Sequence, residues 1–167
     1  RDGSTEVFDT EKLKRRLAHA AIGYEGVVDL DSIVTQVRQE VYENIKTKDI
    51  EEVLTLVTRS FIERDPCYSH IASRLLLSSV YSQVLGYPID YGNFDTLYRK
   101  AFISGIEREV KSGKLDAKML EFDLPVLAAA LRPARDDYFR YLGLQTLTTN
   151  YFMKHMETKQ IQETPQA

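Results

Sequence analysis

Apolar residues recur at helical spacing in the first half of the chain. In residues 10–23 they fall at i, i+4, i+7 and i+8, which places one apolar stripe on one face of a helix. Residues 31–44 and 49–64 repeat this pattern, and residues 65–86 carry apolar side chains around most of the circumference. The pattern therefore predicts three amphipathic helices and a fourth, central helix that is the most buried. The predicted core positions are Leu13, Leu17, Ala20, Ala21, Ile33, Val34, Val37, Val41, Ile50, Val53, Leu54, Val57, Phe61, Ile71, Ala72, Leu75, Leu76 and Leu77.

Polar side chains, proline and glycine mark where these helices begin and end. Asp49 and Glu52 have the spacing of a capping box, so the third helix is expected to begin at Asp49. In Asp65-Pro66 the aspartate is the expected N-cap and the proline the first helical residue, where its missing N–H costs nothing. The first helix is expected to have its N-cap at Asp9 or Thr10 and to end at Gly23, and the fourth helix is expected to end at Gly86.

The stretch "YPIDYGN" combines proline, glycine and asparagine and is the best candidate for a domain boundary. We expect one domain over residues 1–88 and a second over residues 89–167. The second domain is predicted to hold a helix from Phe94 to Val110, a short helix in "DLPVLAAALRPARDD" and a hairpin-like stretch near its end.

The opening "RDGSTEVFD" contains Asp2-Gly3, a strong signal for a type I′ hairpin turn. Residues 5–8 can form the strand that leaves this turn, whereas only Arg1 precedes it, so the first strand of the hairpin is missing from the sequence. The predicted fold class is therefore mainly α with a small β-hairpin or cap.

The composition is that of an ordinary globular protein, with 43% hydrophobic and 28% charged residues among 167. No apolar run approaches the roughly 18 to 20 residues of a membrane span, and no signal-peptide core is present, so we expect a cytoplasmic protein without a membrane partner. A net charge of -3 argues against a nucleic-acid partner. The dense basic cluster Lys12, Lys14, Arg15 and Arg16 is predicted to be mostly a solvated helix face.

Catalytic and metal-binding motifs are not found in the sequence. Cys67 is the single cysteine, which excludes an internal disulfide, a cysteine-rich zinc site and a two-thiol redox centre within the chain. His19, His70 and His155 lie far apart, so no metal site is expected. A phosphate loop, a G-x-S-x-G elbow and a kinase loop are also missing. We therefore assign no catalytic residue and expect the chain not to be a self-contained enzyme.

Four stretches in order carry a resemblance to a known family. "RDGSTEVFDTEKLKRRL", "YENIKTKDIEEVL" and "DPCYSHIASRLLL" resemble the start, the Thr-x-x-Ile helix and a later helix of the ATP-cone, the allosteric domain at the head of ribonucleotide reductase large subunits. Residues 115–166 are similar to the segment that leads from the cone into the catalytic barrel of class I large subunits. The resemblance implies an ATP-cone-like four-helix bundle followed by a mostly helical segment.

This resemblance also implies a site for ATP or dATP with Mg²⁺. Lysine and arginine pair with triphosphate charge, a helix N-terminus offers free N–H groups, and a glutamate can accept from the adenine amine or a ribose hydroxyl. A simpler reading is that Glu6 and Lys12 only pair with each other and that Thr47 only caps its helix. The candidate nucleotide-binding residues are Arg1, Glu6, Lys12, Thr47, Ile50 and Glu51.

By the same resemblance, the chain is the regulatory region of a ribonucleoside-diphosphate reductase, the oxidoreductase that makes deoxyribonucleotides for DNA synthesis. The implied partners are the radical-generating small subunit and further large subunits. The family needs at least three catalytic cysteines, so the chain alone is expected to be an inactive N-terminal fragment whose Cys67 has no radical role.

The alternative is a degenerate cone that serves only as a structural or oligomerisation domain. Two departures from the family motivate it: Ser82 or Gln83 stands where relatives often carry a basic residue, and Glu51 stands where relatives can carry a neutral or basic one. An acid beside a triphosphate repels it unless a metal ion bridges the two.

Overall fold

The computed structural model describes residues 6–86, 89 and 91–167, and this part of the chain is mainly helical, as predicted. Short 3₁₀ segments and one π-helical turn, Leu147–Tyr151, separate or extend its α-helices. The α-helices of the described residues are α1 Thr10–Ala20, α2 Leu30–Glu40, α3 Thr47–Ser60, α4 Cys67–Val84, α5 Phe94–Lys111, α6 Leu124–Ala130 and α7 Tyr141–Thr146.

The predicted hairpin turn at Asp2-Gly3 lies outside the described residues. Residues 6–9 lead into α1 without forming a strand, so the strand expected over residues 5–8 is not present in its described part. Asp9 is the N-cap of α1, as predicted: its carboxylate accepts the backbone N–H of Glu11 at 2.8 Å and that of Lys12 at 3.3 Å. The entrance to the first helix is therefore fixed by Asp9.

The chain divides into two compact units. The first comprises Arg1–Leu77 and Phe139–Gln145, and the second comprises Ser78–Tyr138 and Thr146–Ala167. The chain changes unit three times: inside α4, just before α7, and at the end of α7. The sequence-based domain limits of 1–88 and 89–167 stay a prediction.

The core of the first unit consists of the apolar stripes of α1, α2 and α3 together with the first half of α4. The predicted positions Leu17, Ile33, Val37, Leu54 and Ile71 are at most 1% exposed, which confirms the helical periodicity on which they were predicted. The half-buried residues that pack against this core include Val41, Ile50, Val53 and Val57. Leu76 is also only half-buried, so α4 has a partly accessible side.

The predicted start of α3 at Asp49 is wrong, and Asp49 with Glu52 does not form the expected capping box. The helix begins at Thr47, with Lys46 in the N-cap position and no side-chain cap. The backbone N–H groups of Asp49 and Ile50 donate to the Lys46 carbonyl at 2.9 and 3.1 Å, so these residues are already inside the first turn. The capping-box prediction failed because it relied on side-chain spacing, whereas backbone hydrogen bonds extend the helix toward the N-terminus.

The start of α4 agrees closely with the sequence. Asp65 Oδ1 accepts the N–H of Cys67 at 2.8 Å, and the helix begins directly after Pro66. Burial, together with the adjacent Asp65 carboxylate, raises the pKa of the Cys67 thiol to about 11. Cys67 is therefore a poor nucleophile at neutral pH.

We expect iodoacetamide to alkylate Cys67 in the folded chain at least tenfold more slowly than a free cysteine at pH 8. At this pH a thiol with pKa 11 holds about 300-fold less thiolate than one with pKa 8.5, since the thiolate is the reacting species. Mass spectrometry of timed samples measures the rate, and the chain unfolded in urea serves as control. Equal rates for the folded and unfolded chains would contradict the prediction.

The second unit packs α5 against α6 and against the C-terminal stretch. The expected hairpin-like stretch is present as an antiparallel bridge between Lys154 and Ile161, and Gln162 N–H donates to the Met153 carbonyl at 2.9 Å. Glu109 of α5 is 2% exposed and accepts from Lys114 at 3.0 Å.

Within the described residues, no helix is both long enough and apolar enough to cross a bilayer.

Candidate functional site

The first part of the candidate site lies at the start of α1. Glu6 precedes the helix, and Lys12 occupies its first turn. Lys12 Nζ donates to Glu6 Oε2 at 2.6 Å, with the two side chains 56% and 68% exposed. This hydrogen bond and the Glu6 charge raise the pKa of Lys12, so its ammonium group is fully charged at neutral pH. Arg1, another candidate, lies outside the described residues.

The second part lies at the start of α3. Thr47 is the first residue of this helix and is exposed, and no side chain caps the helix at Lys46. The first N–H groups of a helix have no partner within the helix and attract anions. Ile50 is half-buried and packs against the core of the first unit, so it holds this turn in place.

Arg16 and Glu51 connect the two parts. Arg16 of α1 and Glu51 of α3 form an ion pair with Nη1 to Oε1 at 2.5 Å, and their side chains are 30% and 9% exposed. Lys12 lies one turn before Arg16, and Thr47 lies one turn before Glu51, so each pair shares a helix face. The Arg16–Glu51 ion pair thus joins α1 to α3, with Lys12 one turn from Arg16 on α1 and Thr47 one turn from Glu51 on α3.

Sequence reasoning missed Arg16. It assigned most of the basic cluster to a solvated helix face and did not single out Arg16, whose side chain is 30% exposed and ion-paired with Glu51. Lys14, from the same cluster, pairs with Asp31 at 2.7 Å and remains more exposed. The available signal for Arg16 was its i+4 spacing from Lys12, which places both cations on one face of α1.

The departure near the end of α4, at Ser82 or Gln83, places polar but uncharged side chains there. Ser82 Oγ donates to the Ser78 carbonyl at 2.8 Å, and Gln83 Nε2 donates to the Ser79 carbonyl at 3.3 Å. Gln83 Oε1 also accepts the N–H of Ile161 at 3.1 Å. These side chains therefore make hydrogen bonds within the second unit.

A resident metal site is not found in the part of the chain that the structure describes. No group of three or more histidine, cysteine, aspartate or glutamate side chains is arranged to hold a metal ion there. Mg²⁺ in proteins is commonly held by one or two carboxylates together with substrate phosphates. Glu51 is a carboxylate of the candidate site, and its Oε1 is already paired with Arg16.

The chain is similar to known proteins over nearly its whole length. Residues 1–83 match the ATP cone domain. The chain is 29% identical over 164 residues to the alpha subunit of ribonucleoside-diphosphate reductase from Chlamydia pneumoniae, which covers 96% of this chain and 16% of the relative. It is 30% identical over 167 residues to the same subunit from Helicobacter pylori, with 99% and 20% covered. It is 28% identical over 171 residues to the Escherichia coli subunit, with 99% and 21% covered.

The chain spans about a fifth or less of the length of these relatives. The match to the cone covers both helices that carry the candidate site, and the similarity to the reductase subunits continues beyond it to the last residues. The chain therefore belongs to the ATP-cone family through residues 1–83 and, as a whole, corresponds to the amino-terminal region of ribonucleoside-diphosphate reductase large subunits.

Proposed function

We propose that this chain is the allosteric region of a ribonucleoside-diphosphate reductase and that its cone binds ATP or dATP. The observation that carries the proposal is the placement of Lys12 in the first turn of α1 and of Thr47 at the uncapped start of α3, inside an ATP cone domain. A cation and free helix N–H groups are suited to binding a triphosphate. Mg²⁺ accompanies the nucleotide and reduces its repulsion from Glu51.

The remaining candidates have matching roles in this proposal. Glu6 accepts from the adenine amine or a ribose hydroxyl once Lys12 turns to the phosphates, and Thr47 presents its hydroxyl and N–H at the start of α3. Ile50 offers an apolar contact to the base while it packs on the core. Arg1 is proposed as a further phosphate contact.

In the whole enzyme, regulation by this region requires that ATP and dATP bind two arrangements of large subunits with different affinity. The proposed partners are therefore the radical-generating small subunit and other large subunits. Reduction of ribonucleotides takes place in the part of the enzyme outside this chain, because the described region offers no set of catalytic cysteines. A cytoplasmic location stays a prediction.

The degenerate cone is the second candidate, and a specific observation favours it. Both cations of the site are already engaged by carboxylates, Lys12 by Glu6 and Arg16 by Glu51. A nucleotide must displace these carboxylates or share their partners. If it cannot, the region serves only for packing or oligomerisation.

Thermal unfolding with millimolar Mg-ATP or Mg-dATP separates the two candidates. A ligand at about 100 times its Kd adds roughly 2.7 kcal/mol, which raises the Tm of a chain of this size by about 5 to 10 °C. We expect this increase for the wild type and its loss in Lys12→Ala, because Lys12 is a direct phosphate contact.

Lys14→Ala is the matched control, because it removes an equally charged side chain from the same helix and breaks a comparable ion pair with Asp31 at 2.7 Å. This variant should keep the nucleotide-dependent increase. No increase in the wild type would support the degenerate cone. An increase that survives Lys12→Ala would remove Lys12 from the site.

A further inference from the structure

We propose that Arg16 is a phosphate-binding residue of the cone and that Glu51 is the counter-ion that holds Arg16 in the empty site. On this view, phosphate takes the place of the carboxylate when a nucleotide binds. The inference rests on the proposed function and adds a residue and a mechanism to it.

The geometry places the guanidinium where a phosphate bound by Lys12 is within reach. Arg16 lies one helical turn after Lys12 on the same face of α1, a rise of about 5.4 Å. Its partner Glu51 lies one turn after Thr47 on the same face of α3. A phosphate bound at Lys12 or at the start of α3 therefore lies within about one helical turn of the Arg16–Glu51 pair.

Burial explains why the pair forms in the empty site. The Glu51 side chain is only 9% exposed, so its negative charge needs a nearby cation, and Arg16 supplies one at 2.5 Å. The Arg16 side chain is 30% exposed. A guanidinium has five N–H donors in a fork that matches phosphate as well as carboxylate, so it can transfer from one anion to the other.

The two members of the pair then have opposite effects on nucleotide affinity. Arg16 attracts the phosphates, whereas Glu51 competes for the same donors and repels the phosphates. If the pair only holds the two helices together, breaking it from either side disturbs the fold and weakens binding in both variants. Effects of opposite sign that exceed those of the Lys14–Asp31 control pair are therefore diagnostic.

The test is isothermal titration calorimetry of the 167-residue chain with ATP, once with EDTA and once with Mg²⁺. We expect Arg16→Gln to weaken ATP binding roughly ten- to a hundredfold, the effect of losing one charge-assisted contact. Glu51→Gln should strengthen binding by about three- to tenfold under both conditions, because it frees the guanidinium and removes a repulsive charge.

Lys14→Gln and Asp31→Asn are matched controls, since their 2.7 Å ion pair also starts from α1 but joins it to α2. Both should bind ATP within about twofold of the wild type. The double variant Arg16→Gln, Glu51→Gln keeps a neutral amide pair. It should remain folded by circular dichroism and bind more weakly than Glu51→Gln, which separates loss of affinity from loss of structure.

The outcomes are distinguishable. If the wild type does not bind ATP or dATP at millimolar concentration, the proposed function and this inference fall together. If the wild type binds and Arg16→Gln behaves like Lys14→Gln, the inference alone is overturned. Equal weakening by Arg16→Gln and Glu51→Gln would make the pair structural, and weakening by Glu51→Gln only with Mg²⁺ would make Glu51 a metal ligand. Both results overturn the counter-ion role.

Discussion

Replacing Asp136 by alanine is expected to lower the free energy of unfolding by about 3–5 kcal/mol. This side chain is 1% exposed and accepts three hydrogen bonds within the second unit. Tyr81 and Tyr98 donate their hydroxyls to Oδ2 at 2.8 Å each, and Gln166 Nε2 donates to Oδ1 at 2.7 Å. Alanine leaves three donors without their acceptor, and each unsatisfied buried group costs about 1–3 kcal/mol.

Urea unfolding followed by circular dichroism and by tyrosine fluorescence measures this loss, since the chain has ten tyrosines and no tryptophan. Asp95→Asn is the control. It breaks an exposed pair with Arg99 at 3.6 Å and should change stability by less than about 1 kcal/mol. A similarly small change for Asp136→Ala would show that the three hydrogen bonds contribute little to folding.

The contribution of Asp136 also depends on pH. Burial raises the pKa of Asp136 above its ordinary value, although hydrogen bonds from Gln166, Tyr98 and Tyr81 oppose the increase. The folded state therefore binds this proton more tightly than the unfolded state does. By linkage, binding of this proton makes its full contribution to the free energy of unfolding below the ordinary pKa of about 3.9. This contribution is lost as the pH rises through the raised pKa of Asp136. The difference between wild type and Asp136→Ala should thus be larger at pH 4.5 than at pH 7.

The contribution of Glu109 to stability changes with pH in the opposite direction. Burial alone raises its pKa, yet the hydrogen bonds and charges of Lys114 and Arg108 hold the pKa of Glu109 below its ordinary value. Its contribution to stability is therefore present above the ordinary pKa and is lost as pH falls. Two buried acids of the same unit thus respond to acid in opposite directions because one has neutral donors and the other has cations.

The helical scaffold of the first unit was predictable because its signal is local. Leu13, Leu17 and Ala20 are all buried as the 3.6-residue period requires, and Asp9 caps the helix before them. The start of α3 was not predictable from caps alone, since Lys46 has no capping side chain and the helix still begins next to it. Helix faces follow from periodicity, whereas helix ends depend on backbone bonds that periodicity does not report.

The polar interior was not predictable, because its partners are far apart in sequence. Asp136 lies 55 residues from Tyr81, 38 from Tyr98 and 30 from Gln166, and "RPARDDY" reads as an exposed turn. Arg16 and Glu51 are likewise 35 residues apart, within a basic run and an acidic helix start. A charge pattern alone does not show which of its members becomes buried by tertiary packing.

Replacing Leu17 by alanine is expected to lower the free energy of unfolding of the chain by about 3 kcal/mol. Leu17 is 0% exposed and belongs to the core cluster formed with residues of α2, α3 and α4. Leucine-to-alanine changes at such sites cost about 2–5 kcal/mol, since the loss of buried surface adds to the cost of a cavity. Urea unfolding measures the effect.

Leu56→Ala is the matched control, because Leu56 lies on α3 and is 44% exposed. It should cost less than about 1 kcal/mol. Leu17 follows Arg16 directly but faces the core, so Leu17→Ala tests whether the α1 face that carries Lys12 and Arg16 depends on the packing beneath it. If the cone binds ATP as proposed, saturating ATP should raise the Tm of Leu17→Ala by about as much as that of the wild type. A much smaller increase for this variant would mean that the cavity displaces α1, and that the position of the two cations is set by the core as well as by their ion pairs.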